Sequence, residues 1–312
     1  MPMTDHIELT FPSGSLSLEG TLTIPRTSPG PAALLISGSG PIDRNSNSQH
    51  LAINIMGELA THLAASGIAS LRFDKRGVGS SDGDYLATGF HDNIADAQAA
   101  LDALRARPEV DPGQVFVIGH SEGAIIASKL ASNSQLAGAA LLAGTAQNGR
   151  DLLTWQAAQI ASTLPKPVQY LTKLVGRDME RIQSKRLAGI ERSHEDVVRI
   201  RFAKLNAKWL REFMSYEPCN ALRRAQAPIL AITGSEDLQV DPADINLIGQ
   251  LVPTPFIGHI VDDLTHLLRK ETAPASLRTY ENRARRPIDQ SVATLITEWM
   301  VSVARNRQGS QR

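Results

Sequence analysis

Short apolar runs alternate with longer segments of helical periodicity along most of the chain. The runs at 32–36, 67–73 and 115–118 are mainly apolar, as expected for strands that are buried on both faces. Between these runs, the segments 51–65 and 92–107 carry apolar residues at helical spacing. This alternation predicts a parallel sheet with helices on both of its faces.

A hairpin precedes this alternation, and three more strands follow it. Strands at 7–11 and 16–24, joined by a turn that contains Pro and Gly, are typical of an antiparallel pair at a sheet edge. The later strands are predicted at 136–143, 228–233 and 256–261, before a closing helix at 291–303 and a frayed polar tail from 306.

The alternation stops between residues 145 and 217, where only helical periodicity is recognised. One stripe contains Val168, Leu171, Val175, Met179 and Ile182, and another contains Val198, Phe202, Leu205, Trp209 and Phe213. We expect most of these side chains to pack helices together, with Trp155 and Trp209 as candidates to line an apolar pocket under a lid. The sequence therefore predicts one α/β core domain, formed by 1–144 and 218–312, with a helical cap inserted at 145–217.

A serine stands at a sharp strand-to-helix turn near the middle of the chain. The motif Gly119-His120-Ser121-Glu122-Gly123 directly follows the apolar run at 115–118 and directly precedes a helical pattern rich in small residues. Such a turn exposes a serine hydroxyl and aims the first N–H groups of the helix at whatever the hydroxyl attacks. The motif predicts Ser121 as a nucleophile; the alternative is an ordinary turn with a surface serine.

A serine nucleophile needs an imidazole to remove its proton and a carboxylate to orient that imidazole. In a parallel sheet the functional loops gather at the carboxyl ends of the strands. Asp237 follows the strand at 228–233, and His266 follows the strand at 256–261. The chain order Ser121, Asp237, His266 is the order expected of this architecture.

Other acids and histidines are alternatives for these roles. Glu236 and Asp241 compete for the role of the acid, although Asp241 before Pro242 is typical of a helix cap. His259 lies within the last strand, where a packed core histidine is expected. His120 is expected to shape the turn rather than act as the base.

The reaction also needs hydrogen-bond donors for the developing oxyanion, each worth roughly 3 kcal/mol. The backbone N–H of Glu122, at the head of the helix, is one candidate. The loop Ser37-Gly38-Ser39-Gly40-Pro41 follows the strand at 32–36 and offers the backbone N–H of Ser39, with Gly38 or Gly40 close behind. The alternative for this loop is a flexible turn.

Two charged loops complete the set of candidates. We expect Asp74 and Arg76 to form an ion pair that pins the loop after the strand at 67–73. In that loop Gly77-Val78-Gly79 lacks the third glycine of a dinucleotide-binding motif, which argues against that function. Asp43 and Arg44 are interpreted either as substrate contacts or as solvated loop charges.

Composition narrows the function classes. The 312 residues carry 32 basic and 32 acidic side chains, so no net charge points to nucleic acid or an anionic membrane surface as a partner. Cys219 is the single cysteine, which excludes an intrachain disulfide and a thiolate metal cluster. Residues 1–10 lack the apolar stretch of a signal peptide, and no apolar run approaches the length of a membrane span. We therefore expect a soluble, cytoplasmic protein.

Together these motifs resemble the α/β-hydrolase superfamily. The resemblance rests on Ser37-Gly38-Ser39-Gly40-Pro41, Asp74-Lys75-Arg76-Gly77-Val78-Gly79-Ser80-Ser81, Gly119-His120-Ser121-Glu122-Gly123, Gly234-Ser235-Glu236-Asp237 and Thr265-His266. Within the superfamily, residues 38–45 are similar to bacterial serine esterases of the serine aminopeptidase-like (S33-type) group. The likeness is weakest in 145–217, and Ser37-Gly38 stands where many relatives have His-Gly.

The resemblance implies an α/β-hydrolase fold with a helical cap and no metal or organic cofactor. We predict a serine hydrolase that cleaves a small carboxylic ester through an acyl-enzyme, with Ser121, Asp237 and His266 as the triad and with Ser39 and Glu122 as oxyanion donors. The alternatives are a thioesterase, a small peptidase or amidase in which Glu122 binds the substrate amine, and a non-catalytic binding protein. Exposed apolar faces of the cap would suit a homodimer.

Overall fold

The computed structural model describes residues 4–26, 28–163, 166, 179–200, 203–272 and 280–309. The strands in these ranges are β1 (Asp5–Ser13), β2 (Leu16–Ile24), β3 (Gly30–Ile36), β4 (Ala69–Phe73), β5 (Val110–His120), β6 (Gly138–Leu142), β7 (Val197–Ile200), β8 (Ala203–Asn206), β9 (Ile229–Gly234) and β10 (Phe256–Val261). The α-helices are α1 (Ile55–Ala65), α2 (Phe90–Arg105), α3 (Glu122–Asn133), α4 (Gly149–Ser162), α5 (Met179–Glu191), α6 (Ala207–Ser215), α7 (Pro218–Leu222), α8 (Asp244–Leu251), α9 (Tyr280–Ala284) and α10 (Gln290–Gly309).

Eight strands form one sheet in the order β1-β2-β4-β3-β5-β6-β9-β10. β1 pairs with β2 and β2 pairs with β4 in antiparallel fashion, and the remaining pairs are parallel. Ile36 lies beside Gly119 and His120 lies beside Leu142, so β3, β5 and β6 end at nearly the same level. The loops that follow these strands therefore meet at one edge of the sheet.

Apolar side chains form a core on each face of the sheet. On one face β3, β5 and β9 pack against α2 and α3, with Phe90 fully buried. On the other face they pack against α1 and α10, where the rings of Phe116 and Trp299 meet edge to face at 5.7 Å. The predicted parallel sheet with helices on both faces is confirmed.

The segment 145–217 differs from the prediction, because it is not purely helical. β7 and β8 form a separate antiparallel hairpin in which Val198 lies opposite Leu205. The helical stripe from Val198 to Phe213 is therefore wrong: its first part is strand, and its last part lies on α6. β-branched residues at 197, 198 and 200 were the signal for a strand.

The other predicted stripe lies largely outside the described residues. Of its members, Ile182 lies on α5 and has 53% of its surface exposed. The described helices of this segment instead pack around a small core of their own, which contains Leu187, Ile190, Ala207 and Met214. Phe213 on α6 meets Phe90 on α2 at a ring distance of 5.5 Å and so joins this segment to the main core.

Two predicted boundaries also move. α1 begins at Ile55 rather than at 51, because Asn54 adopts a left-handed backbone with φ of 55°. α10 extends to Gly309, so residues 306–309 are helical rather than frayed, and Arg307 donates to the carbonyl of Leu136 at 2.7 Å. Across the described ranges, no helix has both the length and the apolar character that crossing a bilayer requires.

Candidate active site

Ser121 occupies a strained turn between β5 and α3. Its backbone has φ of 57° and ψ of −117°, a region that residues with a side chain seldom adopt. A Cβ on Gly119 would lie 1.9 Å from the Gly123 carbonyl oxygen, and a Cβ on Gly123 would lie 2.1 Å from the Ile36 carbonyl oxygen. Both glycines are therefore required for the close approach of β3, β5 and α3. Within the described ranges the half-buried Ser121 hydroxyl has no hydrogen-bond partner, His266 included.

Asp237 and His266 meet beside this turn. Nδ1 of His266 lies 2.8 Å from Oδ2 of Asp237, and both side chains are almost fully buried. Oδ1 of Asp237 accepts hydrogen bonds from the backbone N–H groups of Gln239 and Val240. These bonds hold the carboxylate in place. Nδ1 of His266 also lies 3.1 Å from Oδ1, so its contact with Oδ2 is the shorter of the two.

The alternative acids and histidine occupy other positions. Asp241 accepts a hydrogen bond from the Ala243 backbone N–H at 2.9 Å and so shapes the turn before α8. The backbone N–H of Glu236 donates to the carbonyl of Leu264, while the carboxylate that contacts His266 is that of Asp237. His259 is half-buried in the edge strand β10, so the expectation of a packed core histidine is wrong.

His120 links the nucleophile strand to the loop that carries His266. Its Nε2–H donates to the His266 carbonyl at 2.8 Å, and the two rings lie 4.8 Å apart. Burial lowers the pKa of His120 to about 3, so the imidazole is neutral and its role is that of a fixed donor. That His120 shapes the turn and does not serve as the base stays a prediction.

The loop after β3 lies directly against the serine. A Cβ on Gly38 would be 3.3 Å from Cβ of Ser121 and 3.4 Å from Nδ1 of His120. Tyr85, in the 3-10 helix Tyr85–Ala87, lies close to the other end of this loop. Burial and the charge of Glu122 raise the pKa of Tyr85, although the Gly40 backbone N–H acts against them, so the phenol stays protonated.

A buried ion pair joins this loop to the head of α3. Nζ of Lys75 lies 2.6 Å from the Gly38 carbonyl oxygen and 3.1 Å from Oε2 of Glu122. Oε1 of Glu122 accepts from Nδ2 of Asn93 at 2.8 Å and from Nε1 of Trp209 at 2.9 Å. The carboxylate next to the serine therefore accepts hydrogen bonds from three protein donors.

The expected pair between Asp74 and Arg76 does not form. Asp74 instead accepts from the guanidinium of Arg44 and from its backbone N–H, each at 2.7 Å. Arg76 turns towards α2 and binds Asp96 at 2.8 Å. Arg44 is thus neither a solvated charge nor free to bind substrate, because Asp74 and Glu8 engage it. Residues close together in a loop can point in opposite directions, and here Asp74 and Arg76 each pair with a residue from another part of the chain.

A family model described as "Serine aminopeptidase, S33" matches residues 50–273, which is most of the chain. The chain belongs to this family. It is 27% identical, over 293 residues, to the esterase EstD of Thermotoga maritima, and this match covers 91% of the chain but only 65% of EstD. The predicted resemblance to the S33-type group is confirmed.

Solved structures of low sequence identity share the fold. Est1E of Butyrivibrio proteoclasticus, solved with ferulic acid bound, superposes with a TM-score of 0.63 at 16% identity, over 94% of this chain and 98% of that one. A proline iminopeptidase of Mycobacterium smegmatis superposes with a TM-score of 0.64 at 15% identity, over 96% of this chain and 100% of that one. The S33-family chain therefore has the predicted α/β-hydrolase fold.

Sequence reasoning missed part of this S33-family site. Lys75 and Tyr85, from the loop after β4, and Asn93, from α2, contact the loop at 37–41 or the Glu122 carboxylate. The sequence did offer one signal. Lys75 directly follows the strand β4, which is a parallel neighbour of β3, so its loop lies at the same sheet edge as the other loops. In the described part of the chain, no group of three or more His, Cys, Asp or Glu side chains is placed to hold a metal ion.

Proposed function

We propose that this protein is a serine esterase that hydrolyses a carboxylic ester through an acyl-enzyme intermediate. The observation that carries the proposal is the 2.8 Å contact between Nδ1 of His266 and Oδ2 of Asp237, at the sheet edge where Ser121 occupies its strained turn. The order of these residues along the chain is the one expected of an α/β hydrolase. In this proposal Ser121 is the nucleophile, His266 the base and Asp237 the acid.

Each group has a defined part in the proposed reaction. Asp237 accepts the Nδ1–H of His266, and this tautomer leaves Nε2 free to take the proton of the Ser121 hydroxyl. The serine oxygen attacks the ester carbonyl, and His266 then gives the proton to the departing alcohol. A water molecule, activated by the same imidazole, releases the acid and restores the serine.

The backbone N–H groups of Glu122 and Ser39 are the proposed oxyanion donors. Glu122 begins α3, so its N–H has no partner within the helix. Ser39 follows Gly38, which packs against the serine. Each donor is worth about 3 kcal/mol of transition-state stabilisation.

An ester is favoured over a peptide by the environment of Glu122. A peptidase that recognises a free substrate amine needs an available carboxylate near the serine. The Glu122 carboxylate is only 3% exposed and already binds Lys75, Asn93 and Trp209. Glu122 was the acidic side chain that the sequence suggested for binding a substrate amine. Because its carboxylate already binds protein donors, it no longer favours a small peptidase.

We also propose that the segment 145–217 acts as a cap over the site. Trp209 donates to the carboxylate beside the nucleophile, and Nε2 of Gln156 donates to the Gln239 carbonyl, in the loop that carries Asp237, at 2.8 Å. Two helices of the segment therefore contact the first residue of α3 and the loop that carries Asp237. Trp209, whose ring stacks on Phe213 at 4.6 Å, is a candidate wall of the acyl pocket.

The test combines covalent labelling with ester turnover. A fluorophosphonate should label wild-type protein and fail to label Ser121→Ala, whereas Ser132→Ala, at the far end of the same helix, should label normally. Wild-type protein should also hydrolyse p-nitrophenyl esters of some chain length between acetate and decanoate. Folded wild-type protein that neither labels nor hydrolyses these esters would support a binding protein instead. Labelling at Ser121 without ester turnover would direct the search to thioesters and aminoacyl amides.

A further inference from the structure

The side chains of the buried ion pair of Lys75 and Glu122 take no direct part in the proposed reaction, although Glu122 follows the serine in the chain and Lys75 binds the Gly38 carbonyl. The Lys75 side chain is 7% exposed and the Glu122 side chain is 2% exposed. Burial of each charge costs several kcal/mol, so such a pair persists only when its remaining donors and acceptors are also matched. Its other contacts therefore indicate what the pair holds in place.

Those contacts reach the loop after β3 and the helices α2 and α6. The Lys75 ammonium donates to the Gly38 carbonyl at 2.6 Å, which is the shorter of its two hydrogen bonds. The Glu122 carboxylate is held from its other side by Asn93 on α2 and Trp209 on α6. The ammonium is thus anchored by a fixed carboxylate and is directed at one backbone carbonyl.

That carbonyl belongs to the peptide group that carries the Ser39 N–H. In a trans peptide the C=O and the N–H point in opposite directions. With the Gly38 oxygen held towards Lys75, the Ser39 N–H must point away from Lys75. The peptide itself adjoins the nucleophile, because a Cβ on Gly38 would lie 3.3 Å from Cβ of Ser121.

We propose that Lys75 is a positioning residue for the oxyanion site, where it fixes the orientation of the peptide between Gly38 and Ser39. Glu122 anchors the ammonium and supplies the second donor from its own backbone. One ion pair therefore sets the two donors relative to each other. The positive charge of the Lys75 ammonium, next to the Gly38 carbonyl oxygen, also polarises the peptide and strengthens the Ser39 N–H as a donor. The inference rests on the proposed function in taking the Ser39 N–H as a donor to the oxyanion.

The first variant is Lys75→Met, which keeps the length of the side chain and removes the hydrogen bond to Gly38. Loss of a whole oxyanion donor costs about 100- to 1,000-fold in kcat; a misoriented donor should cost less, about 10- to 100-fold. KM should change by less than about threefold, because ground-state binding is largely retained. The rate of fluorophosphonate labelling and the affinity for a trifluoromethyl ketone, which forms a tetrahedral adduct, should fall with kcat.

Three further variants separate positioning from stability. Arg76→Met breaks the neighbouring ion pair with Asp96 at 2.8 Å, and it should lower stability while the labelling rate stays within about twofold. Lys75→Met combined with Glu122→Gln leaves no unpaired buried charge, so it should fold well and label as slowly as Lys75→Met. Lys75→Arg keeps a donor at this place and should restore part of the rate.

Two results would overturn the inference. One is a folded Lys75→Met, or its double variant, whose kcat and labelling rate lie within about twofold of wild type. The other is an equal loss of labelling in Arg76→Met. If wild-type protein labels but cleaves no ester, the proposed substrate class fails, and the labelling rates still decide the role of Lys75. If wild-type protein does not label, both proposals fall.

Discussion

Replacement of His120 by glutamine should flatten the dependence of folding stability on acidic pH. His120 is 6% exposed, and its pKa is lowered to about 3. Burial is the main cause, with His266 and Arg269 acting in the same direction and the bond to the His266 carbonyl and Asp237 acting against it. In an unfolded chain the imidazole has a pKa of about 6.5. Glutamine can keep an N–H donor for the His266 carbonyl but does not titrate.

The sign and the size of the effect follow from these two pKa values. Between about pH 6.5 and pH 3 the unfolded chain binds a proton at this site that the native protein does not bind, so stability falls as the pH falls. The contribution is fully present above pH 6.5. At about pH 5, roughly 1.5 pH units lower, the loss is about 2 kcal/mol at 1.36 kcal/mol per unit.

Urea unfolding followed by circular dichroism measures this difference. Between about pH 7.5 and pH 5, the free energy of unfolding of wild-type protein should decrease by about 2 kcal/mol more than that of His120→Gln. At the higher pH the two proteins should differ by less than about 1 kcal/mol, because the hydrogen bond is retained. If the two proteins lose the same stability over this interval, then His120 either is charged in the native protein or is open to water, and the reasoning is wrong.

Three other substitutions, two of them with a matched control, test the site and its support. Asp237→Asn should lower kcat by about 10⁴-fold through loss of the correct imidazole tautomer, whereas Glu236→Gln should change it by less than about threefold in an ester assay. Gly123→Ala should prevent folding, since its Cβ would lie 2.1 Å from a carbonyl oxygen of β3. Its control, Gly189→Ala, adds a Cβ in open space and should raise the free energy of unfolding by about 0.5–1 kcal/mol. A soluble, folded Gly123→Ala protein would contradict this. Trp209→Phe should cost about 1–3 kcal/mol in urea unfolding because it leaves a buried carboxylate short of one donor, and an unchanged midpoint would refute that.

The positions of the sheet strands along the chain and of the site-bearing loops could be predicted because they depend on local signals. Residues 32–36 and 115–118 are apolar on both faces, and the glycines at 119 and 123 mark the close approach of β3, β5 and α3. Strands of this kind give a parallel sheet, and its carboxyl ends place Ser121, Asp237 and His266 at one edge. The fold is confirmed, and the catalytic roles of these residues remain predictions.

The contacts between loops could not be predicted, because they depend on side-chain directions that emerge only in the folded chain. Asp74 and Arg76 are two residues apart, yet one binds Arg44 and the other binds Asp96. The link between Lys75 and Gly38 spans 37 positions and follows no periodic pattern. The hairpin of β7 and β8 was missed for a different reason: each strand has only four residues, and Val198 and Leu205 also fit a helical stripe with Trp209 and Phe213.

The position of His266 after the last strand of the sheet has a consequence for newly synthesised chains. His120 and His266 are 146 positions apart, and β10 lies at the outer edge of the sheet beside β9. As a chain leaves the ribosome, β3, β5 and β6 are available to assemble around Ser121 long before β10 emerges. The serine turn can therefore form without its proposed base, and we expect the proposed reaction to begin only when β10 joins the sheet. We expect a chain truncated before β10 to show no esterase activity, even if its earlier strands were correctly paired.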